Sequence, residues 1–275
     1  MPSHGCRSFA TVVPDELWAL VAPLLPSFAS RPQGGGTAPC DERAVFTAVV
    51  YVLTSGCAWR HLPETFGVSP ATAHRRFSAW TEAGLWRRLH RAVLDELGVR
   101  GELDWTSAIV DAASVRAKKG DRLTGRNPVD RGKKGSKLHV LSDAQGLPLA
   151  LGVSGTNVHD SQALLPLILG IPAIRSRRGP RRRRPAKLRA DMAYHSVEHL
   201  RWLRGRNIVP RIARPGIESS ERLGRHRWKI EQSISWLFGY RRLTVRYERK
   251  GTHFLAFLGL AAALTCYKKL TKITT

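Results

Sequence analysis

The chain has 275 residues, and its 45 Lys and Arg residues against 21 Asp and Glu residues give a formal net charge of +24, which predicts a polyanionic partner, nucleic acid first. Its four cysteines are scattered without a C-x-x-C pair, which argues against a zinc cluster and a disulfide framework. Without a signal-type opening, and with a longest apolar stretch, 254–267, too short to span a bilayer, we expect a cytoplasmic protein without a membrane partner.

The first hundred residues, 1–100, are expected to form an all-α domain. Helices are predicted over three segments that follow a proline or a capping residue, namely 15–25, 42–55 and 71–82. The third helix is preceded by a short segment at 61–66, a glycine-containing turn, and Ser69 with Pro70 as N-cap and first-turn residue. This order predicts a helix-turn-helix-like unit.

The third helix has two different faces. Its core face is predicted from residues at i, i+4 and i+7, namely Ala73, Phe77 and Trp80. Thr72, Arg75 and Arg76 then point elsewhere, and such a face suits a DNA groove. The alternative is a solvated basic face on a small helical domain; both interpretations stay open, and the overall charge favours DNA contact.

Residues 101–275 are expected to form a second, mixed α/β domain. Alternating apolar residues predict strands over 108–115, 137–142, 147–154, 188–191 and 208–212, the second and third joined as a hairpin. Helical patterns cover 164–169, 196–204, 225–240 and the apolar 254–267, which we expect to pack on the sheet. An Arg-rich loop occupies 175–185.

Three carboxylates lie beside apolar runs in this basic chain: Asp111, Asp191 and Glu231. An unpaired buried charge is strongly disfavoured unless it is protonated, paired or bound to a cation. Each aspartate alone could simply end a strand in water, and Glu231 could pair with Arg227 at i, i+4, although Arg before Glu is the weaker order.

Together the three carboxylates indicate a metal site. If the strands that carry Asp111 and Asp191 are neighbours, these carboxylates lie about 5 Å apart, and a helix packed on the sheet can bring Glu231 alongside. Two Mg²⁺ ions, or Mn²⁺ in their place, would neutralise such a cluster and hold a phosphodiester between them. Hard oxygen ligands favour these ions over zinc.

Several segments, in their order along the chain, resemble DDE transposases of bacterial insertion sequences, and most closely the insertion-sequence-five family. The likeness extends over nearly the whole chain. The segments that carry it are 15–18, 24–26, 54–63, 109–111, 146–148, 157–161, 190–194, 228–231 and 236–243.

The resemblance implies a ribonuclease-H-like catalytic core with Asp111, Asp191 and Glu231 as metal ligands and catalytic triad. It also implies binding and metal-dependent cleavage and transfer of double-stranded DNA, both the inverted-repeat ends of the element and the target, by a homodimer or larger assembly. Candidate DNA contacts, besides those of the third helix, are Arg116, Lys118, Lys119, Tyr194, Arg227, Arg241 and Arg242. The chain departs from the family at Phe238, where related enzymes often carry a basic residue.

Other interpretations compete with transposition. His195, Glu198 and His199 match the pattern of inverted zinc proteases, but Ser196 as an N-cap would leave His195 outside the helix and break the i, i+4 geometry. The run 181–184 could follow a phosphate backbone or remain a solvated loop. A DNA-binding regulator, or an inactive remnant of a transposable element, would use the same basic surface without cleavage.

Overall fold

The computed structural model describes residues 12–27, 40–214 and 220–272, with side chains of the last range from residue 228 onward. Its N-terminal helices are α1 Asp15–Val21, α2 Glu42–Ser55, α3 Pro70–Glu82 and α4 Leu85–Arg100. The predicted cap of α3 is confirmed, because the Thr72 amide donates to the Ser69 hydroxyl at 3.2 Å. Most of the predicted loop between α1 and α2 lies outside the described residues.

A mixed sheet follows these helices. Its strands are β1 Ala108–Ala117, β2 Gly125–Arg126, β3 Lys134–Asp143, β4 Pro148–Gly155, β5 Lys187–Ala190, β6 Val209–Ile212 and β7 Val245–Arg246. The order is β2-β3-β1-β5-β6, with β4 also paired to β3 and β7 paired to the end of β1. Strand β3 is antiparallel to β1 and β4, whereas β5 is parallel to both β1 and β6. The mixed α/β class predicted from the sequence is therefore present.

Further helices pack around this sheet: α5 Leu164–Leu169, α6 Val197–Arg204, α7 Ser220–Phe238 and α8 Gly251–Lys272. Helix α8 is longer than its apolar sequence pattern predicts, and its length and composition would suffice to cross a membrane. However, 67% of its apolar window is buried inside the protein. It contacts β4, as predicted, and also packs along α4.

One hydrophobic core joins the N-terminal helices to the sheet. It includes Phe46 of α2, Trp80 of α3, Leu94 of α4, Val110 of β1 and Phe257 of α8, all at most 2% exposed. Aromatic rings extend this contact, since the Phe77 and Phe257 rings stack with centroids 4.5 Å apart. The helical segment is thus packed directly on the part of the chain that carries the candidate site.

Candidate active site

Asp111 lies in β1, and Asp191 directly follows β5, the parallel strand beside it. Strands β1 and β5 pair Ala108 with Leu188 and Ile109 with Arg189. Continuing this register by two residues places Asp111, in β1, opposite Asp191, the first residue after β5. Paired strands are about 4.8 Å apart, so the two aspartates are direct neighbours at the carboxyl end of β5.

Local hydrogen bonds orient both carboxylates. Asp111 is half-buried and its Oδ1 accepts from the Ala112 amide at 2.8 Å. Asp191 is also half-buried, and its Oδ1 accepts from the Ala193 amide at 3.0 Å, which caps the 3₁₀ turn Met192–Tyr194. Each of these bonds fixes the direction of one carboxylate oxygen.

The phenol of Tyr194 is buried beside these two carboxylates. Burial raises the pKa of Tyr194 first, and the negative charges of Asp160, Asp111 and Asp191 raise it further. Its hydroxyl has no hydrogen-bond partner among the described residues. Tyr194 is therefore a neutral phenol, and three carboxylates act on it electrostatically. Its O–H group remains available as a hydrogen-bond donor.

Asp160 is held at this place by Lys137. The Lys137 Nζ lies 2.8 Å from Asp160 Oδ1 and also donates to the carbonyl of Val158 at 2.8 Å. His139, two residues further along β3, is buried with its Nε2 2.8 Å from the Ser154 hydroxyl. Burial lowers the pKa of His139 to about 4, against the opposing effect of Asp160, so this imidazole is neutral at pH 7.

Glu231 lies on helix α7, which packs on β1 and β3. The buried side of α7 includes Ile230, Ser233 and Leu237, and the Ser233 hydroxyl donates to the Gly146 carbonyl at 2.6 Å. Glu231 itself is on the exposed side. Among the described residues, no three His, Cys, Asp or Glu side chains lie close enough together to hold one metal ion.

Family models cover most of the chain. Residues 13–90 match the family described as "Putative transposase of IS4/5 family", and residues 106–266 match "Transposase DDE domain". The second match spans more than half of the sequence and includes the three candidate carboxylates. The chain belongs to the DDE transposase family.

Two curated relatives of the transposase come from insertion sequences of Burkholderia cepacia. The "Putative transposase for insertion sequence element IS402" is 45% identical over 149 residues, which are 54% of this chain and 71% of the relative. The "Insertion element IS402 uncharacterized 16.2 kDa protein" is 38% identical over 119 residues, 42% of this chain and 81% of the relative. The chain is accordingly a DNA transposase of an insertion sequence.

Solved structures with a partly similar arrangement include the Mos1 strand transfer complex. It has a TM-score of 0.33 and 11% identity, and the match covers 86% of this chain and 80% of the other. The Mos1 mariner paired end complex with Mn has a TM-score of 0.26 and 10% identity over 86% and 81% of the two chains. The family membership of the transposase depends on the sequence matches alone.

Several basic residues predicted to contact DNA are exposed in the transposase. Lys118 and Lys119 follow β1, and Arg241 begins the turn before β7, which pairs with the end of β1. The two lysines and Arg241 therefore lie on segments that are neighbours in the fold. Arg116 is exposed as well, but it forms a bidentate pair with Asp130, with N–O distances of 2.7 and 3.0 Å.

Other residues predicted to contact DNA are occupied elsewhere. Arg242 is buried, where its Nε donates to Glu248 at 2.7 Å and its Nη1 to the Cys57 carbonyl at 2.6 Å. Arg76 pairs with Glu42 of α2 at 3.2 Å, and the Tyr194 ring is only 1% exposed. Burial of Arg242 and Tyr194 argues against direct DNA contacts, because buried side chains cannot reach a groove, and Arg76 would have to leave Glu42 to make one.

The remaining positions of the third helix differ from one another. Arg75 is exposed on α3, whereas Thr72 is half-buried and its hydroxyl accepts from Ser69 at 3.0 Å. The side chain of Arg227 lies outside the described residues. Phe238, where the family resemblance predicts a basic residue, is half-buried and packs on the core.

The competing zinc-protease pattern does not form. Ser196 caps α6 through a 3.0 Å bond from the His199 amide, so His195 precedes the helix, as predicted. The His199 Nδ1 lies 3.0 Å from the Tyr194 carbonyl instead of facing His195. The two histidines therefore do not share a helical face.

Sequence reasoning missed Asp160 and Lys137 as members of this site. The segment 157–161, which contains Asp160, carries part of the family resemblance. The available signal was a carboxylate directly after a strand, in a motif with no evident core role. Its partner on β3 could not be identified without the register of the hairpin.

Proposed function

We propose that the transposase cleaves the ends of its element and transfers them to target DNA at the Asp111 and Asp191 pair. The observation that supports this proposal is that both carboxylates act on the buried Tyr194, as expected if the pairing of β1 with β5 continues to them. The order β4-β3-β1-β5-β6, with an antiparallel part followed by a parallel part, supports a ribonuclease-H-like catalytic domain in residues 101–275.

The donor set at this pair fits hard divalent cations, since adjacent carboxylates repel each other unless a cation is shared between them. Asp111 and Asp191 would hold Mg²⁺ or Mn²⁺, and we include Glu231 as third ligand on the strength of its sequence motif. Two such ions, when bound, supply charge stabilisation at the attacking and leaving oxygens of a phosphodiester.

The chain's own residues position the DNA around this pair. The exposed Lys118, Lys119 and Arg241 would hold phosphates, which fixes orientation without reading sequence. Residues 1–100 would act as a helix-turn-helix-like DNA-binding domain in which Arg75 of α3 faces the groove. A turn at Gly67, with a φ of +63°, separates α3 from the short segment before it and supports this interpretation.

The DNA partners would be the inverted-repeat ends and a target duplex. Because transposition joins two ends in one complex, we propose that the protein acts as a homodimer or larger assembly when bound to DNA. A regulator or an inactive remnant would bind the ends without a metal-dependent product.

The decisive experiment incubates the purified protein with a duplex that carries the inverted repeat flanking its gene, with Mg²⁺, with Mn²⁺ and with EDTA. Nicked product should require the metal and should disappear in Asp111→Asn, Asp191→Asn and Glu231→Gln while DNA binding remains. The exposed Glu64, substituted by Gln, is the matched control. Cleavage by Asp111→Asn at the wild-type rate would overturn the proposal.

A further inference from the structure

The most basic segment of the transposase lies between α5 and β5. We name residues 175–184 the arginine loop; seven of its ten residues are arginine, and no acidic residue occurs from 161 to 190. The sequence left open whether this segment holds a phosphate backbone or is a solvated loop.

The loop is fastened to helix α4 by one carboxylate. Asp95 Oδ1 accepts from the Arg175 amide at 2.6 Å, and the Arg181 Nη1 lies 3.0 and 3.1 Å from its two oxygens. The backbones of Ile174 and Arg182 exchange two hydrogen bonds of 2.8 Å across the base of the loop. One aspartate and one β-bridge thus fix both ends of the segment.

The start of the arginine loop packs directly against Gly98 of α4. A Cβ atom at position 98 would lie 2.0 Å from the Arg175 carbonyl oxygen and 3.0 Å from the Ile174 side chain. Even an alanine would push the loop off the helix. The glycine permits a backbone approach that any side chain would prevent.

At the base of the loop is a cleft of about 400 Å³ with a strongly positive lining. Arg177, Arg178 and Arg182 line it together with Trp105 and two glycines, and no carboxylate is among the lining residues. Concave surfaces lined by one sign of charge concentrate the opposite ion, and guanidinium groups match phosphate oxygens geometrically.

The cleft is separate from the carboxylate pair. The Ala186 amide donates to the Trp105 carbonyl at 2.9 Å, which places the cleft at the amino-terminal ends of β1 and β5. Asp111 is six residues further along, within about 20 Å at the usual rise of a strand. A duplex is long enough to reach both places.

We propose that the arginine loop and its cleft bind the phosphate backbone of double-stranded DNA, and that Asp95 is the positioning residue that holds the loop ready. This inference rests on the proposed function, since it concerns the same DNA. The chemistry suits the phosphate backbone, because guanidinium groups pair with phosphate oxygens whatever the base sequence is.

The test measures binding of a fluorescent duplex of about 30 base pairs and arbitrary sequence, in EDTA, over a series of salt concentrations. Arg177→Gln/Arg178→Gln/Arg182→Gln should weaken binding and lower the slope of log affinity against log salt by about 2 to 3. The control Arg87→Gln/Arg201→Gln/Arg204→Gln removes three exposed arginines elsewhere. Its slope of log affinity against log salt should stay steeper than that of the arginine-loop variant. Equal slopes in both triple variants would overturn the site.

Asp95→Asn separates positioning from charge. This variant adds one net positive charge, so a patch acting by charge alone would bind DNA more tightly. A preorganised loop predicts weaker binding, with Gly98→Ala giving the same result, while circular dichroism verifies that both variants fold. Tighter or unchanged binding by Asp95→Asn would reject the positioning role.

The outcomes distinguish this inference from the proposed function. Binding in EDTA needs no metal at the carboxylate pair, so the wild type should bind the arbitrary duplex under conditions in which it cleaves no DNA. If the arginine-loop variant cleaves element ends and its salt slope of DNA binding equals that of the wild type, the role of the loop is rejected and the proposed function is not. Absence of any DNA binding by the wild type would reject both.

Discussion

Lys137 of β3 and Asp160, in the turn after β4, form an ion pair with Nζ and Oδ1 2.8 Å apart. Both side chains are mostly buried, with 16% and 29% of their surfaces exposed. The pair fixes the turn next to Tyr194 and hence near the two aspartates of the candidate active site.

Substituting Asp160 by Leu should lower the free energy of unfolding by about 1 to 3 kcal/mol, because the Lys137 ammonium would keep only the Val158 carbonyl as a partner. In urea unfolding, the double variant Lys137→Met/Asp160→Leu should lose less free energy of unfolding than Lys137→Met and Asp160→Leu lose in sum. Asp15→Asn, at an exposed pair with Arg43, is the control and should change stability by less than about 1 kcal/mol. Additive losses would show that the two side chains do not interact.

Arg241 and Arg242 are sequence neighbours with opposite expected roles. Arg242→Met would leave the carboxylate of Glu248 buried and unpaired, and should lower stability by about 3 to 5 kcal/mol. Arg241→Gln, at an exposed position, should change stability by less than about 0.5 kcal/mol but lower the salt slope of DNA binding by about 1. A stable Arg242→Met protein with weakened DNA binding would reverse this assignment.

His90 should make the folded state less stable in acid. Burial lowers its pKa from 6.5 to about 4, although a bond of 2.9 Å to the Pro148 carbonyl opposes this. Between pH 6.5 and 4 the unfolded chain gains a proton that the folded state excludes, so stability falls as the pH decreases through this window. The contribution is at most about 3 kcal/mol.

Replacing His90 by Gln removes this titration and retains an N–H donor for Pro148. Urea unfolding midpoints of wild type and variant should therefore converge as the pH is lowered from 8 to about 4.5. A constant difference across this range would show that His90 does not carry the acid sensitivity.

Gly146, in the β3–β4 turn, allows helix α7 to pack closely against this turn. Its φ is +92°, and a Cβ there would lie 2.8 Å from the Lys229 carbonyl oxygen and 3.0 Å from the Ser233 hydroxyl. Gly146→Ala should lower stability by clearly more than the roughly 1 to 2 kcal/mol of left-handed backbone strain, and should lower cleavage because α7 carries Glu231.

Gly132 provides the matched comparison for this substitution. Its φ is +69°, and a Cβ at this position meets nothing within 4 Å. Gly132→Ala should therefore show the backbone strain alone and should leave cleavage unchanged. Equal losses of stability in the two variants would indicate that α7 adapts freely to the turn.

Much of the fold could be predicted because the sheet and several helices leave strong local patterns. The β3–β4 hairpin was predicted from its turn, where the buried Asp143 accepts from the Gln145 and Leu147 amides at 2.9 and 2.8 Å. Helix α4 was not predicted individually, because it starts at Gly84 without a side-chain cap. Strands β2 and β7 have two residues each, which is too short for any period.

The candidate site was predicted in part for a similar reason. Asp111 follows the apolar residues 108–110, Asp191 follows a short strand, and these two strands are parallel neighbours. The contribution of Asp160 depends on the path of a turn, and the burial of Arg242 depends on a carboxylate six residues later. Such tertiary partners have no fixed spacing, so a basic residue assigned to DNA can equally belong to the core.

Most of helix α8 belongs to the second segment that matches a family model, and it packs on α4, which begins in the first, as well as on β4. A fragment that began at residue 101 would leave the α4-facing side of this helix uncovered and prone to self-association. Recombination between related elements could therefore exchange the first hundred residues only where the surface of α8 is exchanged or matched as well. If these residues recognise the element ends, as proposed, a change of specificity requires a matching change in α8.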